Sequence, residues 1–231
     1  MALTRDLDSG LILRAPNILG ETGWWVPGSR WLNKPILVNI DVIDYQERIN
    51  LIALGGLVGR FRKKKPRILE IGGGYGALSL ALRRIMNPSQ YVICDLPESS
   101  LFSGLYLSMA QNSPVRLASL NEGLKPFTHG EICLIPNYLA QKLLPGESFN
   151  LVINTLSMSE MSVHQIEIYA AMISKAIART GVFFEQNHDN THVGLLNCRD
   201  YLPPFFRKVE IIDPKGMLTT RGSAILWSNE P

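Results

Sequence analysis

The residues best suited to chemistry lie in one short run. A strand-like stretch, Arg67-Ile-Leu-Glu-Ile71, runs directly into Gly72-Gly73-Gly74-Tyr75-Gly76, and a helical pattern follows. Glycines at alternate positions let backbone amides approach a ligand without interference from Cβ atoms. The next apolar run, Tyr91-Val-Ile-Cys94, ends at Asp95, where a carboxylate can accept both hydroxyl protons of a ribose. Together these features predict an adenosine-containing cofactor in the crevice beyond the strand ends. Gly72, Gly74 and Ala77 also satisfy the dinucleotide fingerprint, but Glu70 stands two residues before the first glycine. A pyrophosphate is repelled by a nearby carboxylate. S-adenosylmethionine has no phosphate and carries an ammonium and a sulfonium, so charge favours it over NAD. A ligand-free turn would need fewer glycines than these three.

Proton acceptors gather later in the chain. His164, His188 and His192 fall just after the fourth and fifth strand-like runs, and Glu160 precedes His164 by four residues. A histidine titrates near neutrality and serves well as a general base. His188 is one candidate base. His164, oriented by Glu160, is the other. Each also reads as an ordinary loop or helix-end histidine. His188-Asp189-x-x-His192 carries metal-ligating residue types, but two histidines and an acid are too common a set to assign a metal.

The elements that must position these residues alternate. Apolar runs at 67–71, 91–94, 131–135, 151–154 and 182–185 suit strands buried on both faces of a parallel sheet. Helical patterns lie between them. Leu78, Leu82 and Ile85 share one face before Asn87-Pro88; Leu101, Leu105 and Met109 share another. The spacing of Val163, Ile166, Ala170, Ile173 and Ile177 predicts a helix over 163–179, opened by the capping box Ser162-x-x-Gln165 and stopped at Gly181. Runs at 208–212 and 223–228 are joined by a connector too short for a crossover helix, so they should pair antiparallel. Upstream, a helix is expected from Asp41, its N-cap, to Phe61, bent or split at Gly55-Gly56. The Trp-rich stretch with Trp24, Trp25 and Trp31 reads as an anchor onto the core. The segment Thr191 to Phe206 has no periodicity and reads as a substrate cover or a connector.

Composition sets outer bounds. The 231 residues are 46% hydrophobic and 19% charged, enough for a real core. A formal charge of +3 argues against nucleic acid as a partner. The basic run Arg60 to Arg67 reads as a helix end before Pro66. No apolar stretch reaches the length of a membrane span, and the opening residues do not read as a secretory signal. Three widely spaced cysteines, Cys94, Cys133 and Cys198, suit a reducing cytoplasm.

Four segments carry a resemblance: Leu69-Glu-Ile-Gly-Gly-Gly-Tyr-Gly76, Cys94-Asp-Leu-Pro-Glu98, Phe149 to Met161, and Phe183-Phe-Glu-Gln-Asn187. Across roughly residues 45–231 the chain resembles the class I S-adenosylmethionine-dependent methyltransferases, and more narrowly the sugar O-methyltransferase group. The resemblance implies a doubly wound α/β fold: a seven-stranded, mostly parallel sheet with an antiparallel terminal hairpin. Residues 66–231 would form the S-adenosylmethionine-binding catalytic domain. Residues 1–65 would form an extension and helix packing on or capping the active site. It implies cofactor contacts from Gly72, Gly74 and Gly76, with Glu70 near the amino-acid end. Asp95 would bind the ribose, Leu96 the adenine face and Asn137 the adenine edge, where the family usually has an acid. Asn154 would lie near the methyl-donor end. The implied reaction is transfer of a methyl group to a hydroxyl of a small polar acceptor, a sugar or a glycosylated natural product. A homo-oligomer is left open. The competing readings are an NAD-dependent oxidoreductase and a non-catalytic cofactor-binding protein. The first would need a catalytic Tyr-x-x-x-Lys pair. Tyr138-Lys142 matches that spacing, but after the third strand.

Overall fold

A computed structural model describes residues 23–27, 35–111, 115–121, 123–124, 131–214 and 222–229. Within these, a short antiparallel ribbon comes first, β1 (Trp24–Val26) with β2 (Ile36–Val38). Helix α1 (Ile40–Leu54) follows, opened by Asn39, whose side chain accepts the Val42 N–H at 2.8 Å. Asp41 is therefore not the N-cap; it lies in the first turn, where its charge suits the macrodipole. Gly56, at φ +70°, breaks the path, and α2 (Leu57–Phe61) is a separate helix.

Strand β3 (Arg67–Ile71) leads through the glycine loop into α3 (Ala77–Met86). Then come β4 (Gln90–Asp95), α4 (Pro97–Ala110), β5 (Val115–Leu117) and β6 (Ile132–Pro136). Helix α5 (Asn137–Leu143), β7 (Phe149–Thr155), α6 (Val163–Ala176) and β8 (Ile177–Gln186) follow. Strands β9 (Arg207–Ile212) and β10 (Ala224–Ser228) close the fold.

One sheet holds eight strands in the order β5-β6-β4-β3-β7-β8-β10-β9. Strands β5, β6, β4, β3, β7 and β8 run parallel, while β10 is antiparallel to both β8 and β9. The added member is β5, a three-residue edge strand without a marked apolar run, which sequence patterning misses. Two cores flank the sheet. One gathers Ile49 and Ile52 of α1, Leu78 and Leu82 of α3 and Leu107 of α4 on one face. The other gathers Leu139 of α5 and Ile166 and Ile173 of α6 on the opposite face. Chain order reverses at β3, whose neighbours are β4 and β7, and ligands of doubly wound sheets bind beyond the strand ends at such a point.

Three other expectations change. Helix α6 ends at Ala176 rather than Arg179, because β7 recruits Ile177 into β8 opposite Phe149. The capping box at Ser162 and Gln165 forms as read. Leu101, Leu105 and Met109 do share a face of α4, but that face is exposed, the sheet taking Ser100, Ser103 and Leu107 instead. Trp24 and Trp25 are exposed rather than anchored, since the ribbon's buried residues are Ile36 and Leu37; Trp31 lies outside the described residues. Segment 191–206 divides: Thr191 to Leu195 is exposed, while Cys198, Leu202 and Phe206 join the second core. Among the described residues, no helix is long and apolar enough to cross a membrane.

Candidate functional site

The glycine loop sits where β3 and β7 part. Gly72, Gly74 and Gly76 all adopt left-handed backbone, at φ +74°, +55° and +93°. Their environments differ. A Cβ on Gly72 would lie 2.2 Å from Ser157 Oγ, and one on Gly76 would lie 2.9 Å from a Leu107 methyl. A Cβ on Gly74 would meet nothing within 4 Å. Gly72 and Gly76 thus answer to packing as well as conformation, while Gly74 faces open space where a ligand can come close.

Asp95 fixes that open point. Its Oδ2 accepts the Gly74 N–H at 2.8 Å and its Oδ1 the Leu96 N–H at 2.7 Å. Burial raises its pKa, against the lowering effect of hydrogen bonds from Leu96, Gly74 and Ser99. A carboxylate has about four acceptor sites, so capacity remains for a ligand hydroxyl. Leu96 is exposed at the start of α4. Asn137 opens α5 beside Asp95, because β4 and β6 align Asp95 with Pro136. Its side chain bonds Tyr169 of α6, whose pKa burial pushes up to about 12.

Glu70 lies beneath the loop, 2% exposed, accepting the Tyr91 hydroxyl at 2.8 Å. Burial raises its pKa to about 7, opposed by the Tyr91 hydrogen bond and the charge of Arg48. Asn154, at the end of β7, is wholly buried. Its Nδ2 donates to Ile71 O at 2.9 Å and Ser157 Oγ at 2.5 Å, and its Oδ1 accepts from Asn187 Nδ2 at 2.8 Å. Asn154 therefore clamps the ends of β3, β7 and β8 together. The following residue but one, Leu156, is held at φ +68°, a strained conformation for a branched side chain.

The predicted bases separate. His188 is half-buried and directly follows Asn187, on the same rim as Asn154. His164 is exposed and lines a groove between α5 and α6 with Gln141 and Glu167. Glu160 is exposed at the end of a short 3-10 turn, Ser157–Glu160. Among the described residues, no hydrogen bond or ion pair joins Glu160 to His164. Asp189 turns its Oδ1 to the Thr191 N–H and hydroxyl, and His192 Nδ1 approaches the Asp189 carbonyl at 3.2 Å. No cluster of three metal-ligating side chains occurs among the described residues. Tyr138, of the Tyr-x-x-x-Lys spacing, is exposed on α5.

Sequence reading expected a helix near the site but did not single out the side chains that α1 brings there. Its Tyr45 ring meets Tyr75 of the glycine loop edge-on at 5.9 Å, and Tyr75 meets Tyr106 of α4 at 4.9 Å. Glu47 Oε1 accepts Gln186 Nε2 at 3.0 Å at the end of β8. Glu47, Arg48 and Asn50 are buried. Three polar residues within about one turn of an apolar helix were the available signal, but solvent exposure explains polar residues more often.

No protein-family model matches the chain, and no curated protein matches it in sequence. Solved structures do match in fold. The PH0226 protein from Pyrococcus horikoshii OT3 superposes with a TM-score of 0.58 at 13% identity, over 80% of this chain and 91% of that one. A TehB-like SAM-dependent methyltransferase from Corynebacterium glutamicum gives 0.51 at 12%, over 81% and 97%. A variant of MtNAS in complex with S-adenosylmethionine gives 0.55 at 13%, over 83% and 64%. The chain shares the Rossmann-like fold of these structures.

Proposed function

We propose that the chain is an S-adenosylmethionine-dependent methyltransferase acting in the cytoplasm on a hydroxyl of a small polar acceptor, a sugar or a glycosylated natural product. The observation that carries the reading is the Gly74–Asp95 pair: an open-faced glycine whose amide is held by the acid at the end of β4. Gly72, Gly74 and Gly76 would cradle the donor, Asp95 its ribose, and Leu96 and Asn137 its adenine. The buried carboxyl of Glu70 under the loop suits a cationic amino-acid end and disfavours a pyrophosphate. The three cysteines are free and buried, in keeping with a reducing compartment.

When bound, the donor supplies an electrophilic methyl carbon on a sulfonium. The chain's own residues must place an acceptor oxygen in line with it and take the hydroxyl proton. His188, on the rim beside Asn187, is the better-placed base; His164, with Glu160, is the second candidate. The Asn154 clamp keeps that rim rigid, as near-attack alignment requires.

Calorimetric titration with S-adenosylhomocysteine and with NAD tests the donor. Binding of NAD alone sinks the proposal in favour of an oxidoreductase. Binding of neither leaves a fold without this activity. For the base, single-turnover transfer by His188→Ala should fall about a hundredfold or more. Full activity in both His188→Ala and His164→Ala would reject both assignments.

A further inference from the structure

Arg48 is a charged residue on the wrong side of its helix. It is 6% exposed, in α1, beside a wholly buried Asn50. Withdrawing a guanidinium from water costs several kcal/mol unless its donors are satisfied. Yet Arg48 Nε is buried with no hydrogen-bond partner among the described residues. The guanidinium lies over the Tyr45 ring, 4.7 Å from its centroid. That ring in turn packs on Tyr75 inside the glycine loop. The charge of Arg48 also reaches the carboxyl of Glu70. Although the guanidinium also hydrogen-bonds Tyr45, its orphaned Nε–H stands one ring from the loop, with its charge felt by a buried acid.

We infer that Arg48 binds the α-carboxylate of the donor's methionine end while Glu70 faces its ammonium. This rests on the proposed function, and it extends it to a residue outside the glycine motif. The chemistry demands such a pair. An amino-acid end is a zwitterion, so Glu70 by itself would attract one of its charges and repel the other. A guanidinium beside Glu70 removes the repulsion, and its planar fork matches a carboxylate better than a point charge does. The orphaned Nε is the donor such a ligand would satisfy. Helix α1 then serves as the wall that distinguishes a complete donor from a trimmed one.

The test compares S-adenosylmethionine with decarboxylated S-adenosylmethionine, which keeps the ammonium, sulfonium and adenosine. The full chain, Arg48→Gln and Arg48→Lys are titrated calorimetrically, with a melting curve for each. The unaltered chain should prefer the complete donor by about tenfold or more. Arg48→Gln should lose that preference by weakening for the complete donor alone, its affinity for the decarboxylated form staying within about twofold. Arg48→Lys should recover part of the preference. Equal affinity of the unaltered chain for both ligands overturns the inference without recourse to any variant, even if Arg48→Gln fails to fold. Equal weakening of both ligands in Arg48→Gln also overturns it, since that marks a structural role. Failure of the unaltered chain to bind either ligand removes the methyltransferase reading itself, and this inference with it.

Discussion

Glu70 shows how one side chain ties stability to ligand chemistry. Folding raises its pKa from 4.5 to about 7, chiefly through burial. The folded chain therefore holds this proton more tightly than the unfolded chain. That contribution is complete below the unfolded value and is lost as pH rises through the folded one. A shift from 4.5 to about 7 corresponds to on the order of 3 kcal/mol. Glu70→Gln, which can still accept from Tyr91, should flatten this dependence. Urea titrations at pH 5 and pH 8 should show the original chain losing stability relative to Glu70→Gln at the higher pH. Parallel behaviour of the two would mean that Glu70 is ionised at no cost. Asp95 makes a second residue-scale prediction. Asp95→Ala removes the acceptor of the Gly74 N–H as well as the ribose contact, so affinity for S-adenosylhomocysteine should fall about tenfold or more. Unchanged affinity would remove Asp95 from that role.

The glycine loop is an element whose members look alike in sequence and differ in space. Gly72→Ala forces a Cβ to 2.2 Å from Ser157 Oγ at φ +74°. It should cost about 2 kcal/mol or more, read by denaturant unfolding. Gly74→Ala has open room, so it should cost only about 1 kcal/mol for the left-handed backbone. Its effect should instead appear as weakened binding of S-adenosylhomocysteine. A reversal of this order, with Gly74 the more destabilising site, would contradict the packing described here. Helix α1 teaches the same lesson. Its extent from near Asp41 and its break at Gly55-Gly56 were readable, but the cap at Asn39 and the inward turn of Glu47 and Arg48 were not. Local patterns report which residues can be buried, whereas tertiary packing decides which polar ones are.

Across the whole molecule, the antiparallel strand β10 locks the parallel sheet to its terminal hairpin. Trp227, 1% exposed, is the largest side chain on that strand and packs into the second core. Trp227→Ala should cost about 3–5 kcal/mol through lost transfer energy and a residual cavity. Trp227→Phe should cost distinctly less. The indole Nε1 finds no partner among the described residues, so its removal discards a buried unsatisfied donor. Equal losses in the two variants, by denaturant unfolding, would show that the indole itself rather than the volume it fills governs the site.

The amino-acid order alone was enough to determine the alternation of strands and helices, the terminal hairpin and the glycine turn. Each of these follows from local periodicity, chain length between runs or the freedom of a residue without a Cβ. It also placed Glu70 and Asp95 near the ends of two successive strands, because strand ends are marked by where apolar runs stop. Three-dimensional packing decided the rest. It added β5 at an edge where three residues suffice once a neighbour supplies the ladder. It drew Asn154, Asn187 and Ser157 into one clamp across strands far apart in sequence. It carried His188 to the rim and left His164 in an outer groove, and it stacked Arg48 over the Tyr45 ring. Such meetings depend on contacts between distant segments, which periodicity within a segment does not encode.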